Sequence, residues 1–148
     1  MTELKTILLA DDNFQDVELT IEALKGNKIA NIVDAVNDGV EVMEYLNYEG
    51  RFRNRTKGNP VLLLLDIKMP RMDGIEVLEA IRSNDKLKTL PVVMLTSSRE
   101  EPDLQKCYAL GVNAYVVKPV DFKDFLEAVK HIGVFWAMLN EQPQSNNL

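Results

Sequence analysis

One cysteine, Cys107, excludes an internal disulfide. Its neighbours Tyr108, Ala109 and Leu110 set it in an apolar helical context, which reads as a packed, inert thiol. No apolar run approaches the roughly 20 residues needed to cross a bilayer. The start, Met1-Thr2-Glu3-Leu4-Lys5, lacks the basic and apolar regions of a signal peptide, so a cytoplasmic location and no membrane partner are expected. Positive charge is in deficit: 17 Lys and Arg against 23 Asp and Glu leave a net charge of -6. Such a surface repels phosphate backbones, and nucleic acid is not expected as a partner. There is no internal repeat and no sign of a second domain.

What is present suits one globular unit. The 148 residues are 46% apolar and 27% charged, enough for a core of ordinary size. Short apolar runs alternate with helical patterns. Thr6-Ile7-Leu8-Leu9-Ala10 reads as a buried strand ending at Asp11-Asp12. Phe14, Val17, Ile21 and Leu24 recur at helical spacing as far as Gly26. Residues 29–36 read as a second strand, ending at Asn37-Asp38-Gly39, and Val40, Met43 and Leu46 mark a second helix. The polar stretch 48–60 is a long loop, which suggests a functional or partner-facing role.

Residues 61–65 are the most apolar stretch and read as a central parallel strand covered on both faces, ending at Asp66. Ile75, Leu78, Ala80 and Ile81 mark a third helix. Pro91 opens a fourth strand, Val92-Val93-Met94-Leu95, which ends at Thr96. Leu104, Cys107 and Leu110 mark a fourth helix stopped by Gly111. Ala114 to Val117 is a fifth strand ending at Lys118-Pro119. Phe122, Phe125, Leu126, Val129, Ile132 and Trp136 form the stripe of a long last helix, and His131 on it reads as a surface or packing residue. The expected domain is 1–141, followed by a polar, disordered tail at 142–148. Strands alternating with helices predict an α/β fold: a doubly wound, five-stranded parallel sheet with helices on both faces.

The chemistry lies in where the polar residues fall. Asp11 and Asp12 follow strand one, Asp66 strand three, Thr96 strand four and Lys118 strand five. In a parallel sheet these ends share one edge, the edge where open α/β folds bind ligands. Clustered carboxylates repel one another and favour a hard divalent cation such as Mg2+. A Lys ammonium and a Thr hydroxyl suit phosphoryl oxygens, and a carboxylate can attack phosphorus to give an acyl phosphate. Each residue also has a plain structural reading: Asp11-Asp12 as helix caps, Asp66 as a turn residue, Thr96 as a loop cap, Lys118 as a solvated cation. Their joint position at successive strand ends is what points to a site.

Taken together, ILLADDN, LLLLDIKMPRMDG, VVMLTSS and AYVVKP resemble the response-regulator receiver domain of two-component signalling, over roughly residues 4–139. The resemblance implies the flavodoxin-like strand order 2-1-3-4-5. It implies that Asp66 is the phosphoacceptor, that Asp12 ligates Mg2+ directly and Asp11 through water, and that Lys68 offers a backbone carbonyl to the metal. Thr96 then matches the switch hydroxyl, Lys118 the lysine that pairs with the phosphoryl group, and Tyr115 the aromatic that swings inward. Asp73-Gly74 matches the supporting turn, and Lys118-Pro119 would be a cis peptide.

The implied partner is a sensor histidine kinase that donates the phosphoryl group, with signalling to a downstream protein target. The domain would catalyse only its own phosphorylation and autodephosphorylation, and would not be an enzyme in the ordinary sense. The long loop and the last helix ending in Val134-Phe135-Trp136 resemble the small single-domain regulators that partner phytochrome kinases, features shared with stand-alone regulators of other kinases. Phe135, Trp136, Met138 and Leu139 extend beyond one stripe, so a homodimer or partner site on this helix is expected.

Three other readings compete. A flavodoxin-like carrier would need a Ser/Thr/Gly-rich phosphate loop where Asp11-Asp12-Asn13 stand. An aspartyl-phosphate phosphohydrolase would carry an acid where Lys68 stands. A phosphorylation-independent receiver-like binding module remains open even with the full residue set.

Overall fold

The computed structural model describes residues 6–26, 32–97, 101–118, 121, 123–125 and 127. The strands are β1 (Thr6–Ala10), β2 (Ile32–Val36), β3 (Leu62–Leu65), β4 (Val92–Thr96) and β5 (Ala114–Val117). The helices are α1 (Phe14–Gly26), α2 (Gly39–Leu46), α3 (Gly74–Arg82) and α4 (Glu101–Ala109), with a 3-10 turn at Gly50–Phe52. The sheet runs β2-β1-β3-β4-β5, and every pairing is parallel. Both the layered α/β architecture and the strand order match the expectation.

Period-two side-chain direction divides each strand between two cores. Leu8, Ala10, Leu63, Leu65, Val92 and Met94 pack on one face with residues of α2, α3 and α4. Ile7, Leu9, Leu62, Leu64, Val93 and Leu95 pack on the other with Leu24 of α1 and with Phe125. β3 is buried at all four positions, as an unbroken Leu run between two helical layers must be.

The helix stripes differ from the sequence reading in detail. Phe14 is 73% exposed and is no part of the core, because it opens α1 beyond the edge that the sheet covers. α2 buries Val42, Tyr45 and Leu46. α3 buries Val77, Leu78 and Ile81, with Ile75 only partly covered. Cys107 is fully buried. Burial, then the charges of Asp103 and Asp73, push its thiol up to about 11, in keeping with an inert role.

The loop before β3 is internally tied. Arg55 stacks between the rings of Tyr45 and Tyr48, with its guanidinium carbon 4.1 and 4.0 Å from their centroids. Its Nε donates to the Tyr45 carbonyl at 2.6 Å, and its Nη1 to the carbonyls of Thr56 and Gly58 at 3.0 Å. Among the described residues no helix is long and apolar enough to cross a membrane. The expectations for Pro119, for the last-helix residues Phe122, Leu126, Val129, His131, Ile132, Phe135, Trp136, Met138 and Leu139, and for the 142–148 tail lie outside the described residues.

Candidate functional site

All five strands point the same way, so the residues that follow them meet on one edge. The chain leaves β1 toward β2, while β3 lies on the other side of β1. That reversal opens a crevice between the ends of β1 and β3. Asp11 and Asp66 flank it. The Asp11 N–H donates to the Val36 carbonyl at 3.1 Å and the Asp66 N–H to the Ala10 carbonyl at 3.0 Å, so the strand ladder itself fixes both backbones.

Carboxylate oxygens of Asp11, Asp12 and Asp66 lie within 4.8 Å of one another, with Asp11 and Asp66 buried and Asp12 exposed. The capping reading of the acidic pair gives way to another residue. Asn13 Oδ1 accepts from the Asp16 N–H at 3.0 Å at the start of α1, and Asn13 N–H in turn donates to Asp11 Oδ1 at 3.0 Å. The cap is therefore Asn13, which leaves Asp12 and the second oxygen of Asp11 for the crevice.

Lys118, directly after β5, reaches across β4 to this group. Its ammonium donates to Asp11 Oδ2 at 2.9 Å, Asp16 Oδ2 at 2.8 Å and Asp66 Oδ2 at 3.2 Å. The Lys118, Asp11 and Asp66 side chains are 10%, 0% and 8% exposed. Burial alone would lower the Lys118 pKa. The hydrogen bonds to Asp16 and Asp11 and the charges of Asp66 and Asp11 outweigh it and hold the ammonium above its ordinary range.

For Asp66 the balance falls the other way. Burial pushes its carboxyl up to about 6, the Lys118 charge pulls against that, and the Asp11 charge adds to it. A raised carboxyl pKa means that the folded chain binds the proton more tightly than the unfolded chain. The stability it contributes is complete below the ordinary value of 3.8 and is lost as pH rises through about 6. In chelator, Asp66→Asn is therefore expected to be more stable than the parent by about 2 kcal/mol near pH 8, and by much less near pH 4. Paired urea titrations check this, and a gap that does not grow with pH contradicts it.

The loop after β3 is held from two sides. Gly74 N–H donates to the Ile67 carbonyl at 2.8 Å, and Asp73 caps α3 in a reciprocal box with Glu76. A Cβ on Gly74 would collide with the Asp66 carbonyl and the Ile67 Cα. Across the rim, Arg71 takes a left-handed φ of 67° and grips Asp38, Nε to Oδ2 at 2.8 Å and Nη2 to Oδ1 at 3.2 Å. Gly39 N–H donates to the Met72 carbonyl at 3.1 Å, so the loops after β2 and β3 are tied to each other.

Of the sequence-predicted residues, Asp11, Asp12, Asp66 and Lys118 come together. Lys68 is exposed in the loop immediately after Asp66. Thr96 ends β4 at the same edge, and its side chain lies outside the described set. Tyr115 is half-buried on β5 against the α2–α4 side of the core. Sequence reasoning missed Asp16, whose place in the first turn of α1 reads as ordinary helix-dipole complementation. It also missed the Asp38–Arg71 clamp, which no local pattern announces.

Comparison with known proteins bears on the family and the fold. The chain is 39% identical over 132 residues to the response regulator Rcp1 of Synechocystis sp., covering 89% of this chain and 88% of that protein. The structure of Mn(2+)-bound Rcp1 superposes with a TM-score of 0.74 at 38% identity, covering 95% and 99% of the two chains. The bacteriophytochrome response regulator RtBRR gives a TM-score of 0.84 at 55% identity, covering 95% of this chain and 85% of its own. The phosphorylated cyanobacterial phytochrome response regulator RcpA gives 0.76 at 39%, covering 96% and 100%. The family model for the response regulator receiver domain matches residues 7–130, and the chain belongs to that family of signalling modules.

Proposed function

We propose that the protein is a phosphorylation switch in which Asp66 takes a phosphoryl group from a phosphohistidine of a sensor histidine kinase of the phytochrome type. The observation that carries this reading is one half-buried ammonium bonded to Asp66 Oδ2 and Asp11 Oδ2 beside the cluster formed with Asp12. Likeness to a phosphorylated phytochrome response regulator supports the phosphoryl chemistry and the kinase class. Likeness to a Mn(2+)-bound one supports a divalent cation.

The donor set fits such an ion. It is all oxygen, it is anionic, and its charge exceeds what one lysine offsets. Asp12 and Asp66 would hold Mg2+ directly, Asp11 through water, and Lys68 by its backbone carbonyl. The cation, when bound, would neutralise charge on the transferring phosphoryl group.

The chain's own residues do the rest. An Asp66 oxygen attacks phosphorus, and the phosphorus–nitrogen bond to the donor imidazole breaks with its electron pair leaving on nitrogen, which takes a proton. Lys118 donates to a phosphoryl oxygen, and Thr96 donates a second hydrogen bond. Movement of Thr96 lets Tyr115 swing further inward, and this biases the face formed by α4, β5 and the following segment toward a downstream protein. Slow hydrolysis by the same site returns the switch to its resting state. The functional unit spans 1–141 with a tail at 142–148, works in the cytoplasm, and carries a homodimer or partner surface on the segment after β5.

Incubation with Mg2+ and a small phosphoryl donor tests this. The parent is expected to gain one alkali-labile phosphoryl mass, and Asp66→Asn none. A folded parent with no gain leaves a phosphorylation-independent binding module as the better reading.

A further inference from the structure

An ammonium has three N–H donors, and Lys118 spends all of them on carboxylates, the shortest bond, 2.8 Å, going to Asp16. We infer that Asp16 is a positioning residue for phosphoryl transfer, holding Lys118 with Asp11 so that the third N–H is aimed at Asp66. The inference rests on the function proposed above and adds a residue to it.

The need for such a residue follows from topology. Lys118 follows β5 directly and must extend across β4 to reach the ends of β1 and β3. A lysine side chain so extended gives up most of its rotamer freedom, and one partner would hold it loosely. Asp11 supplies one anchor from the end of β1. Asp16 supplies the other from α1, where its own N–H is fixed by Asn13 Oδ1. The Asp16 side chain is 34% exposed against 0% for Asp11, so it holds the ammonium from the mouth of the crevice while Asp11 holds it from the floor.

The longest of the three bonds, 3.2 Å, is the one to Asp66. It is the bond that must change hands: once Asp66 carries phosphorus, that N–H passes to a phosphoryl oxygen while the Asp11 and Asp16 bonds stay. The carboxylates close enough to share a cation are those of Asp11, Asp12 and Asp66. Asp16 stands outside that set, so its effect should run through Lys118 and leave the cation alone.

A double-mutant cycle reads this directly. Phosphorylation rates at saturating Mg2+ with acetyl phosphate are measured for the parent, Asp16→Asn, Lys118→Ala and the double variant, with Mg2+ affinity by calorimetry. Asp16→Asn is expected to slow the parent by about tenfold, to change Lys118→Ala by less than about twofold, and to leave the Mg2+ Kd within about twofold. Asp16→Glu should recover part of the rate. Should Lys118→Ala be too slow to follow, urea unfolding of the same four proteins in chelator reads the pair without activity. The loss from Asp16→Asn must then vanish or reverse without Lys118. Equal losses in both backgrounds, a parallel loss of Mg2+ affinity, or an unaffected Asp16→Asn overturn the inference while the parent still gains its phosphoryl group. No gain in the parent overturns the function on which it rests.

Discussion

Lys118→Ala is expected to lower folding stability by about 3 kcal/mol or more in chelator near neutral pH. The lysine does not stabilise by attraction alone. Taking two carboxylates and most of an ammonium out of water is costly, and the pairing mainly offsets that cost. Removal leaves Asp11 and Asp66 buried side by side with Asp16 close at the mouth and no cation among them. Two consequences distinguish this from a cavity effect. The loss should shrink on acidification, because Asp66, already pushed up to about 6 by burial, then takes a proton more readily. It should also shrink when Mg2+ is added, since without the competing ammonium on Asp11 and Asp66 the folded variant binds the cation more tightly than the parent and gains more stability from it. Urea unfolding in chelator and in Mg2+, at two pH values, measures both. A loss that ignores pH and Mg2+ would mean that Lys118 is held for its packing.

Gly74→Ala is the second large effect, expected to cost about 3 kcal/mol or more. The added methyl meets the Asp66 carbonyl and the Ile67 Cα, which are backbone and cannot rotate away. Relief requires moving the β3 end or the start of α3, and both are fixed: the first by the bond from Asp66 N–H to the Ala10 carbonyl, the second by the Asp73–Glu76 capping box. The tightest clash is with the Asp66 carbonyl, so relief is expected to shift Asp66 relative to Asp11 and Lys118. Phosphoryl uptake should therefore fall further than the remaining folded fraction explains. Circular dichroism against phosphorylation stoichiometry separates the two, and uptake in proportion to folded protein would contradict the geometry.

Much of this was legible in the residues because the relevant physics is local. Leu62–Leu65 has no polar break, and only a strand covered on both faces buries such a run. Asp11, Asp12, Asp66 and Lys118 could be assigned to one edge because parallel strands put their ends there. What escaped notice is what depends on reach across the fold. Asp16 carries a signature indistinguishable from any acidic residue in a first helical turn. Arg82 looks like a solvated cation on α3, yet it donates to the carbonyls of Lys88, Leu90 and Gly111 and to Asn113 Oδ1. Stretch 48–60 reads correctly as a loop, but its composition does not disclose that Arg55 locks it between two tyrosines. The helix stripes were off by a residue or so, with Val42 and Val77 buried where Met43 and Ile75 are only partly covered.

Chemical mapping of the phosphorylated residue bears most directly on the whole scheme. After incubation with Mg2+ and acetyl phosphate, borohydride reduces an aspartyl phosphate to homoserine, and peptide mass spectrometry locates it. The expected result is homoserine at position 66 alone, with the yield falling in Lys118→Ala. Homoserine at Asp11 or Asp12 instead, or a phosphoryl group that survives alkali on a hydroxyl, would contradict the assignment of Asp66 as the acceptor.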